Sequence, residues 1–333
     1  MKITLFEPGV PITKPGLYPV PEATYHGDDL CHEPSLSSTL ARIIIDESPL
    51  HAWHAHPRLN SDVEDEDEST GTMNVGSAMH AMLLGNGRGI AVCDFKNWQT
   101  KAAKEERDIA IESGLTPILI GQHRRAEVLV ALARKQVAQY QDLPDLFGPG
   151  AILEHAAIWQ ENGRWCRALI DIIHPYPDFI AIVDYKSTER SAAPATVGRQ
   201  VFDMGYDVQL AFYRRGIRRL FPNDRRPIRC FLMSQERGGP GCLSITELDE
   251  DVLTLGDKKV SAALALWDRC LTADLWPGYP PFPSTVTLPP YIESKWLQRE
   301  INDDALAGAG YAFAVPLHDD EPRAIDPRYL EAG

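Results

Sequence analysis

The sequence lacks long apolar runs. No stretch approaches the roughly 18 to 20 apolar residues that a helix needs to cross a bilayer. The N-terminus carries Lys2, but prolines interrupt it and it has no apolar core of the kind a secretory signal contains. We therefore expect a cytoplasmic protein with no membrane partner.

Clustered cysteines are also absent. The six cysteines are scattered along the chain and none forms a CxxC pair. Zinc and iron–sulfur sites usually need clustered thiolates, so we expect reduced, mostly buried thiols and no iron–sulfur cluster. The phosphate-binding pattern GxxxxGK[ST] of helicases does not occur either.

Positive charge is scarce overall. The chain has 33 Lys and Arg against 47 Asp and Glu, a formal net charge of −14 in 333 residues. Such a protein does not coat nucleic acid by charge alone. For the acidic run 62–68 we expect a solvated loop, with metal binding or DNA mimicry as alternatives. Seven arginines between positions 214 and 229 could still form a local basic face for a phosphate backbone.

The patterning predicts helices in the first half of the chain. Residues 1–34 are rich in Pro and Gly, which predicts an extended lead-in with little regular structure. Helix caps and apolar spacing predict helices at about 38–47, from Pro49, and at 73–85, 97–113 and 122–140, with a short strand between the last two.

Strand patterns begin at about residue 150. Asn162-Gly163 predicts a hairpin between two apolar strands, 151–160 and 164–173. Further strands are predicted at 179–187, 227–236 and 242–248, with helices at about 196–220, broken near Gly205, and 249–271. This order predicts an α/β or α+β fold. We expect one domain over 35–280, mainly helical in 35–149 and with the sheet in 150–280, then an irregular tail at 281–333.

Three residues in the predicted strands indicate chemistry. Asp184 and Lys186 alternate to the same face at the end of an apolar strand, although a surface ion pair is the plainer alternative. Asp171 lies 13 positions before Asp184 in an apolar strand, so a hairpin-like return can bring the carboxylates together. Mg²⁺ would relieve their repulsion, and Lys186 could orient the attacking water.

Other candidates are less specific by themselves. Glu154 is a third carboxylate at a suitable position, with an ordinary surface glutamate as the alternative. Gln209 and Tyr213 are four residues apart and so lie on one helix face. His80, in GSAMHAMLLG, would by itself be an ordinary core or surface histidine.

The combined order of His, Glu, Asp, D-x-K and Q-x-x-x-Y resembles the RecB-type and RecE-type branch of the PD-(D/E)XK nucleases. The resemblance to RecE-like, exonuclease VIII-type exodeoxyribonucleases covers roughly residues 15–280. It is carried by KPGLYPVPEATYHGDD, PSLSSTLARIIIDESPLHAWHAHPRLN, GSAMHAMLLG, EHAAIW, WCRALIDII, IVDYKST, MGYDVQLAFYRRGI and LWPGYP. It implies a restriction-endonuclease-like core, with a mixed central sheet flanked by helices and a helical N-terminal portion.

The resemblance also implies roles for individual residues. Asp171, Asp184 and the main-chain carbonyl of Tyr185 would bind the metal, and Lys186 would be the catalytic lysine. Glu154 would lie near the metal or its water. His80 would help bind a second metal or position the phosphate.

Gln209 and Tyr213 would support the site and contact DNA. Two departures from the family pattern stand out: Leu169 replaces a common basic residue, for which Arg167 on the same strand face could substitute, and Ser187 replaces threonine.

The implied function is a Mg²⁺-dependent exodeoxyribonuclease, with Mn²⁺ as a substitute, that acts 5′ to 3′ on double-stranded DNA ends. It implies a bacterial or phage-encoded protein of phage-type homologous recombination, with a single-strand-annealing recombinase as partner and a homo-oligomeric state. Two alternatives remain. One is a catalytically inactive DNA-binding or regulatory protein on the same fold. The other is a nuclease subunit of a helicase–nuclease complex.

Overall fold

The computed structural model of the chain describes residues 1–60, 73–85 and 89–302. The acidic run 62–68 lies outside the described residues, so the expectation of a solvated loop stays a prediction. The chain divides into two compact units, Met1–Tyr279 and Pro280–Gly333. None of the helices in the described ranges is both long and apolar enough to cross a membrane.

The first unit is built on a mixed sheet. The strands of the described residues are β1 (Gly16–Tyr18), β2 (Leu36–Ser37), β3 (Ile90–Cys93), β4 (Thr116–Leu119), β5 (Ile152–Glu161), β6 (Arg164–Pro175), β7 (Ile180–Thr188), β8 (Ile228–Glu236) and β9 (Leu243–Leu248). The main sheet has the order β1-β5-β6-β7-β8-β9, with β2 pairing β6. The pairs β7–β8 and β2–β6 are parallel and the others are antiparallel. Strands β3 and β4 form a separate parallel pair.

Helices cover this sheet. The helices of the first unit are α1 (Glu22–His26), α2 (Ser38–Asp46), α3 (Pro49–Ala55), α4 (Val75–Leu84), α5 (Lys101–Glu112), α6 (Ile120–Val137), α7 (Pro194–Asp203), α8 (Tyr206–Leu220) and α9 (Glu250–Ala273), and the second unit contains α10 (Pro290–Asn302). Several begin at the predicted caps: Ser37 and Ser48 accept hydrogen bonds from the first turns of α2 and α3, and Gly85 ends α4 in the left-handed conformation.

The strand pattern explains why helices lie on both faces. On β7, Ile180 and Ile182 join the core formed with α2, α8 and α9, whereas Ala181 and Val183 join the core formed with α4 and α6. A strand that is apolar on both faces has to be covered on both faces. The structure thus confirms the predicted mixed sheet flanked by helices.

Two predictions about the ends of the chain were wrong in part. The lead-in supplies β1, which extends the sheet by pairing with β5, and α1. Part of the expected irregular tail is the helix α10. Prolines cluster before this helix and at its first position, where proline is tolerated, and no Pro or Gly follows within the helix.

Candidate active site

Three carboxylates lie in one row across three strands. The pairs Leu153↔Ile172 and His155↔Ile170 flank the position where Glu154 faces Asp171. The β6–β7 ladder has Ile172↔Val183 as its last pair, and Asp171 and Asp184 occupy the next position. The hairpin-like return predicted from the sequence therefore brings the two aspartates side by side.

The strands are irregular at this row. Ile170 packs in the core on the α8 side and Ile172 in the core on the α4 side, so the alternation of faces is interrupted at Asp171. Glu154 has φ +48°, an uncommon conformation for a residue other than glycine. Such strain typically persists only where the surrounding structure imposes it, and it concentrates at functional sites.

Asp184 is held by residues from two elements. Lys186, on the same face of β7, has Nζ 2.8 Å from Oδ2 of Asp184. From α8, the side-chain amide of Gln209 donates to Oδ1 of Asp184 (3.2 Å) and to the hydroxyl of Tyr213 (2.8 Å). Gln209 and Tyr213 thus share a helix face as predicted. Tyr213 is buried, so it supports the site and has little surface with which to contact DNA.

His80 bridges the other two carboxylates. From α4, its Nδ1 lies 2.9 Å from Glu154 and its Nε2 lies 3.3 Å from Asp171. Burial lowers the pKa of His80, but the hydrogen bonds and charges of the two carboxylates outweigh it and raise the pKa to about 10. A protonated His80 therefore lies between the carboxyl groups of Glu154 and Asp171. To ligate a metal, it would first have to release one of these carboxylates.

Burial also governs the ionisation of the D-x-K pair. Asp184 is 1% exposed. Its pKa is raised to about 6, with desolvation as the largest cause; the positive charge of Lys186 opposes the rise and the negative charge of Asp171 adds to it. For Lys186, desolvation lowers the pKa, but the charges of Asp184 and Asp171 outweigh it, so the pKa is raised and the side chain is an ammonium.

A cleft of about 970 Å³ opens beside these residues. One wall is the lead-in segment from Pro19 to His26, and another is the start of α4. Glu154, His80 and Lys186 face it, together with the end of β7. A substrate in this cleft would contact the ammonium of Lys186 directly.

The residues present fit a divalent cation. Oδ2 of Asp184 is fully buried and is ion-paired with Lys186, but it has no hydrogen bond of good geometry to any described residue. Buried carboxylates that lack full compensation suit a hard cation, and Asp171 and Asp184 offer the oxygen ligands that Mg²⁺ prefers. Within the described ranges, no three ligand-type side chains converge as a ready-made cage. His80 and Lys186 hold the carboxylates instead.

The structure places Tyr185 with only its main chain toward the carboxylates. Its N–H donates to Asp171 (2.7 Å), and its ring packs on the opposite face, where the hydroxyl donates to Gln235. Arg167 was expected to share a strand face with Asp171, but the residue is 4% exposed and its guanidinium pairs with Asp28 at 2.8 Å. It therefore anchors the lead-in and does not face the cleft.

Most arginines of the expected basic face at 214–229 form ion pairs within the protein. Arg214, Arg215, Arg219, Arg226 and Arg229 each pair with a carboxylate. The first three of these pairs tie α8 to α9 and β5. A phosphate backbone would have to displace these carboxylates.

Three residues near the site were not found from the sequence. The ring of Tyr206 lies 5.2 Å from Nζ of Lys186, and Arg237 lines the cleft. Gly76 lets α4 approach β7 closely, since a Cβ there would lie 2.6 Å from Oγ of Ser187. Tyr206 precedes Gln209 by three residues in the same helix, a spacing that could have signalled it. Arg237 depends on the parallel pairing of β7 and β8, which a single sequence does not reveal.

Comparisons with known proteins agree with this architecture. A family model described as a PDDEXK-like domain of unknown function matches residues 46–280. The crystal structure of a candidate exonuclease from Eubacterium rectale is similar at 14% identity, over 83% of this chain and 97% of that chain, with a TM-score of 0.51. At that identity the likeness indicates the fold alone.

A second solved structure, LHK-Exo in complex with dAMP, matches at 12% identity over 61% of this chain and 94% of that chain. Its TM-score of 0.22 is too low to indicate a shared fold. No curated protein matches the sequence.

Proposed function

Because the chain belongs to the PDDEXK-like domain family matched over residues 46–280, we propose that it is a metal-dependent exodeoxyribonuclease. It hydrolyses phosphodiester bonds from double-stranded DNA ends, with Mg²⁺ as the cofactor and Mn²⁺ as a substitute. The observation that carries this proposal is the convergence of Asp171, Asp184 and Lys186, of which Lys186 lines the cleft. Family members with this fold generally use divalent metals.

Each side chain has a defined task in this proposal. Asp171 and Asp184 hold the cation, which when bound offsets their charges and polarises the phosphate. Lys186 orients the attacking water and stabilises the negative charge that develops on the phosphorane. Gln209 keeps the carboxylate of Asp184 in place through its 3.2 Å hydrogen bond.

The finer parts of the proposal are supported by the sequence resemblance to RecE-like exodeoxyribonucleases. These are the 5′ to 3′ direction, a role in phage-type homologous recombination, a single-strand-annealing recombinase as partner and a homo-oligomeric state. We also propose a cytoplasmic location.

Digestion of an end-labelled linear duplex tests the proposal. We would compare wild type, Lys186→Ala and the control Lys135→Ala, whose side chain is exposed on α6, each with Mg²⁺ and with EDTA. We expect Mg²⁺-dependent loss of the duplex with wild type and Lys135→Ala and none with Lys186→Ala. The label position reports the direction, and a closed circular duplex should survive.

Cleavage of the circle would contradict an exonuclease. If wild type binds DNA but digests it with neither Mg²⁺ nor Mn²⁺, the result would favour the alternative of a catalytically inactive DNA-binding protein. Thermal unfolding of Lys186→Ala shows whether the variant is folded, so that loss of activity is not mistaken for loss of structure.

A further inference from the structure

One guanidinium in the cleft has no task in the proposed chemistry. Arg237 directly follows β8, whose last residue Glu236 pairs with Thr188 of the parallel strand β7. The main-chain N–H of Arg237 donates to the carbonyl of Thr188 (2.8 Å). This pairing places Arg237 just beyond Lys186, at the same edge of the sheet.

The backbone of Arg237 is fixed from the other side as well. Its carbonyl accepts a 3.0 Å hydrogen bond from Nη2 of Arg125 on α6. A side chain on so well-anchored a backbone loses less freedom when it binds a ligand than one on a loose loop. The backbone of Arg237 is therefore pre-organised for ligand binding, although the residue lies in a turn.

The protein engages the Arg237 guanidinium only in part. Nε is buried and has no hydrogen-bond partner among the described residues. Nη2 lies 3.1 Å from Glu189, whose side chain is 79% exposed. A pair with so exposed a carboxylate is weak and easily exchanged. By contrast, Arg215 and Arg219 on α8 are each held by a carboxylate in a hydrogen-bonded pair.

Arg237 also supplies a charge that the cleft needs. Among the described residues that line the cleft, it is the only arginine. Lys186 faces the same cleft, but the carboxylate of Asp184 neutralises its charge at 2.8 Å. Glu22 and Glu154 add negative charge to the lining. A polyanion entering the cleft therefore needs a cation that is not firmly paired, and the exposed carboxylate of Glu189 holds Arg237 only weakly.

We propose that Arg237 binds a backbone phosphate of the DNA strand, adjacent to the phosphodiester that is cleaved. The planar guanidinium suits a phosphate because two N–H groups can bind two oxygens at once. This inference rests on the proposed function, since it assigns a phosphate of the same substrate. Phosphate contacts position the strand without reading its sequence.

Equilibrium binding tests this assignment. A fluorescent blunt duplex is titrated in Mg²⁺ with Lys186→Ala protein, which binds without cleaving, and with the same protein carrying Arg237→Ala, Arg237→Gln, Arg237→Lys or Arg190→Ala. Arg190 is the matched control, because it is exposed near the same strand end and does not line the cleft. The Arg237→Gln variant keeps most of the side-chain stem, in case Arg237→Ala does not fold.

We expect Arg237→Ala and Arg237→Gln to weaken binding about tenfold, the effect of about 1.4 kcal/mol. The slope of log K against log salt should fall by about 1, because one phosphate contact is lost. Arg237→Lys should keep most of that slope, while binding with intermediate affinity. A merely structural role for Arg237 would not change the salt slope.

The same variants in the active protein separate the two proposals. We expect Arg237→Ala to raise KM about tenfold and to change kcat far less. If wild type digests DNA while Arg237→Ala and Arg237→Gln keep its KM and salt dependence, the phosphate assignment is wrong and the proposed function stands. If wild type neither binds nor digests DNA, both are wrong. A loss equal to that of Arg190→Ala would also overturn the assignment.

Discussion

The main-chain N–H of Tyr185 donates a 2.7 Å hydrogen bond to the carboxylate of Asp171. The ladder between β6 and β7 ends one position earlier, at Ile172↔Val183, so a side chain replaces the next strand-to-strand contact. The bond fixes Asp171 against the strand that carries Asp184 and Lys186. The candidate site thus lies where two core strands separate.

Metal binding should stabilise the folded protein. A ligand that binds only the folded state adds about 2.7 kcal/mol when present at 100 times its Kd. We expect Mg²⁺ or Mn²⁺ to raise the Tm of wild type by several degrees, and EDTA to reverse this rise. Asp184→Asn should abolish the shift, whereas Asp178→Asn, in the exposed turn between β6 and β7, should keep it. An unchanged shift in Asp184→Asn would remove Asp184 from the ligand set.

The conformation of Glu154 predicts that the usual stability order of glycine and alanine variants is reversed at this position. At a regular strand position, a glycine variant is less stable than the alanine variant by roughly 0.5–1 kcal/mol. Glu154 has φ +48°, where a Cβ costs about 1–2 kcal/mol. Glu154→Gly should therefore be more stable than Glu154→Ala, measured by urea unfolding. The neighbouring pair His155→Gly and His155→Ala should show the ordinary order, and the same order at both positions would contradict the strain.

Close packing at Gly76 predicts a steric effect on the site. A Cβ would lie 2.6 Å from Oγ of Ser187, so Gly76→Ala should push α4 from β7 and cost about 1–3 kcal/mol. Because His80 is one turn further along α4, kcat/KM should fall at least tenfold. In a double-mutant cycle, Ser187→Ala should restore part of the stability.

The control for Gly76 is Gly198→Ala, where no atom of the described residues lies within 4 Å of the added Cβ. This change in a helix should be neutral or stabilising by up to about 1 kcal/mol. Equal costs at the two glycines would argue against a close approach at Gly76.

The lead-in should depend on one buried carboxylate. Asp28 is fully buried and pairs with Arg167, while Ser35 and His56 lie within hydrogen-bonding distance. Asp28→Asn keeps a side chain that tolerates the left-handed φ of 56° but leaves Arg167 buried without its counter-charge. We expect a loss of about 3–5 kcal/mol at pH 7, measured by urea unfolding. The exposed neighbour Asp29→Asn should change stability by less than about 0.5 kcal/mol.

The same variant predicts a pH dependence. Burial raises the pKa of Asp28, but the hydrogen bonds of His56 and Ser35 and the charge of Arg167 outweigh it and hold the pKa below its ordinary value. The stability that the ionised Asp28 carboxylate adds is therefore fully present above its unfolded-state pKa of about 3.9. It is lost as the pH falls through the lower pKa of the folded state. The difference in unfolding free energy between wild type and Asp28→Asn should be constant from pH 7 to 5 and should narrow only below about pH 4. A difference that narrows already near pH 6 would indicate that another group titrates.

Much of the fold could be predicted because its signals are local. Asn162-Gly163 marks the hairpin, and Glu161 does pair with Arg164 across it. The αL conformation of Gly205 separates α7 from α8, near the predicted break. Caps and alternation depend on neighbours a few residues away, so one sequence contains them.

Non-local contacts are where prediction failed. The pairing of β1 with β5 joins residues about 140 positions apart, and no feature of residues 16–18 alone specifies it. The arginines of α8 looked available for phosphate, but Glu250 and Asp257 of α9 engage two of them. Whether a charge is free depends on what folds against it.

For the candidate site, the sequence by itself determined which side chains are available: two aspartates, a lysine two positions beyond the second, and a glutamine and a tyrosine on one helix face. Strand periodicity and helical spacing are enough for that. Only the tertiary structure decided that His80 bridges Glu154 and Asp171, that Arg167 turns to Asp28, and that Arg237 stands in the cleft. The physical reason is that ion pairs form between residues that are close in space. Strand pairing and helix packing bring these partners together from distant parts of the chain.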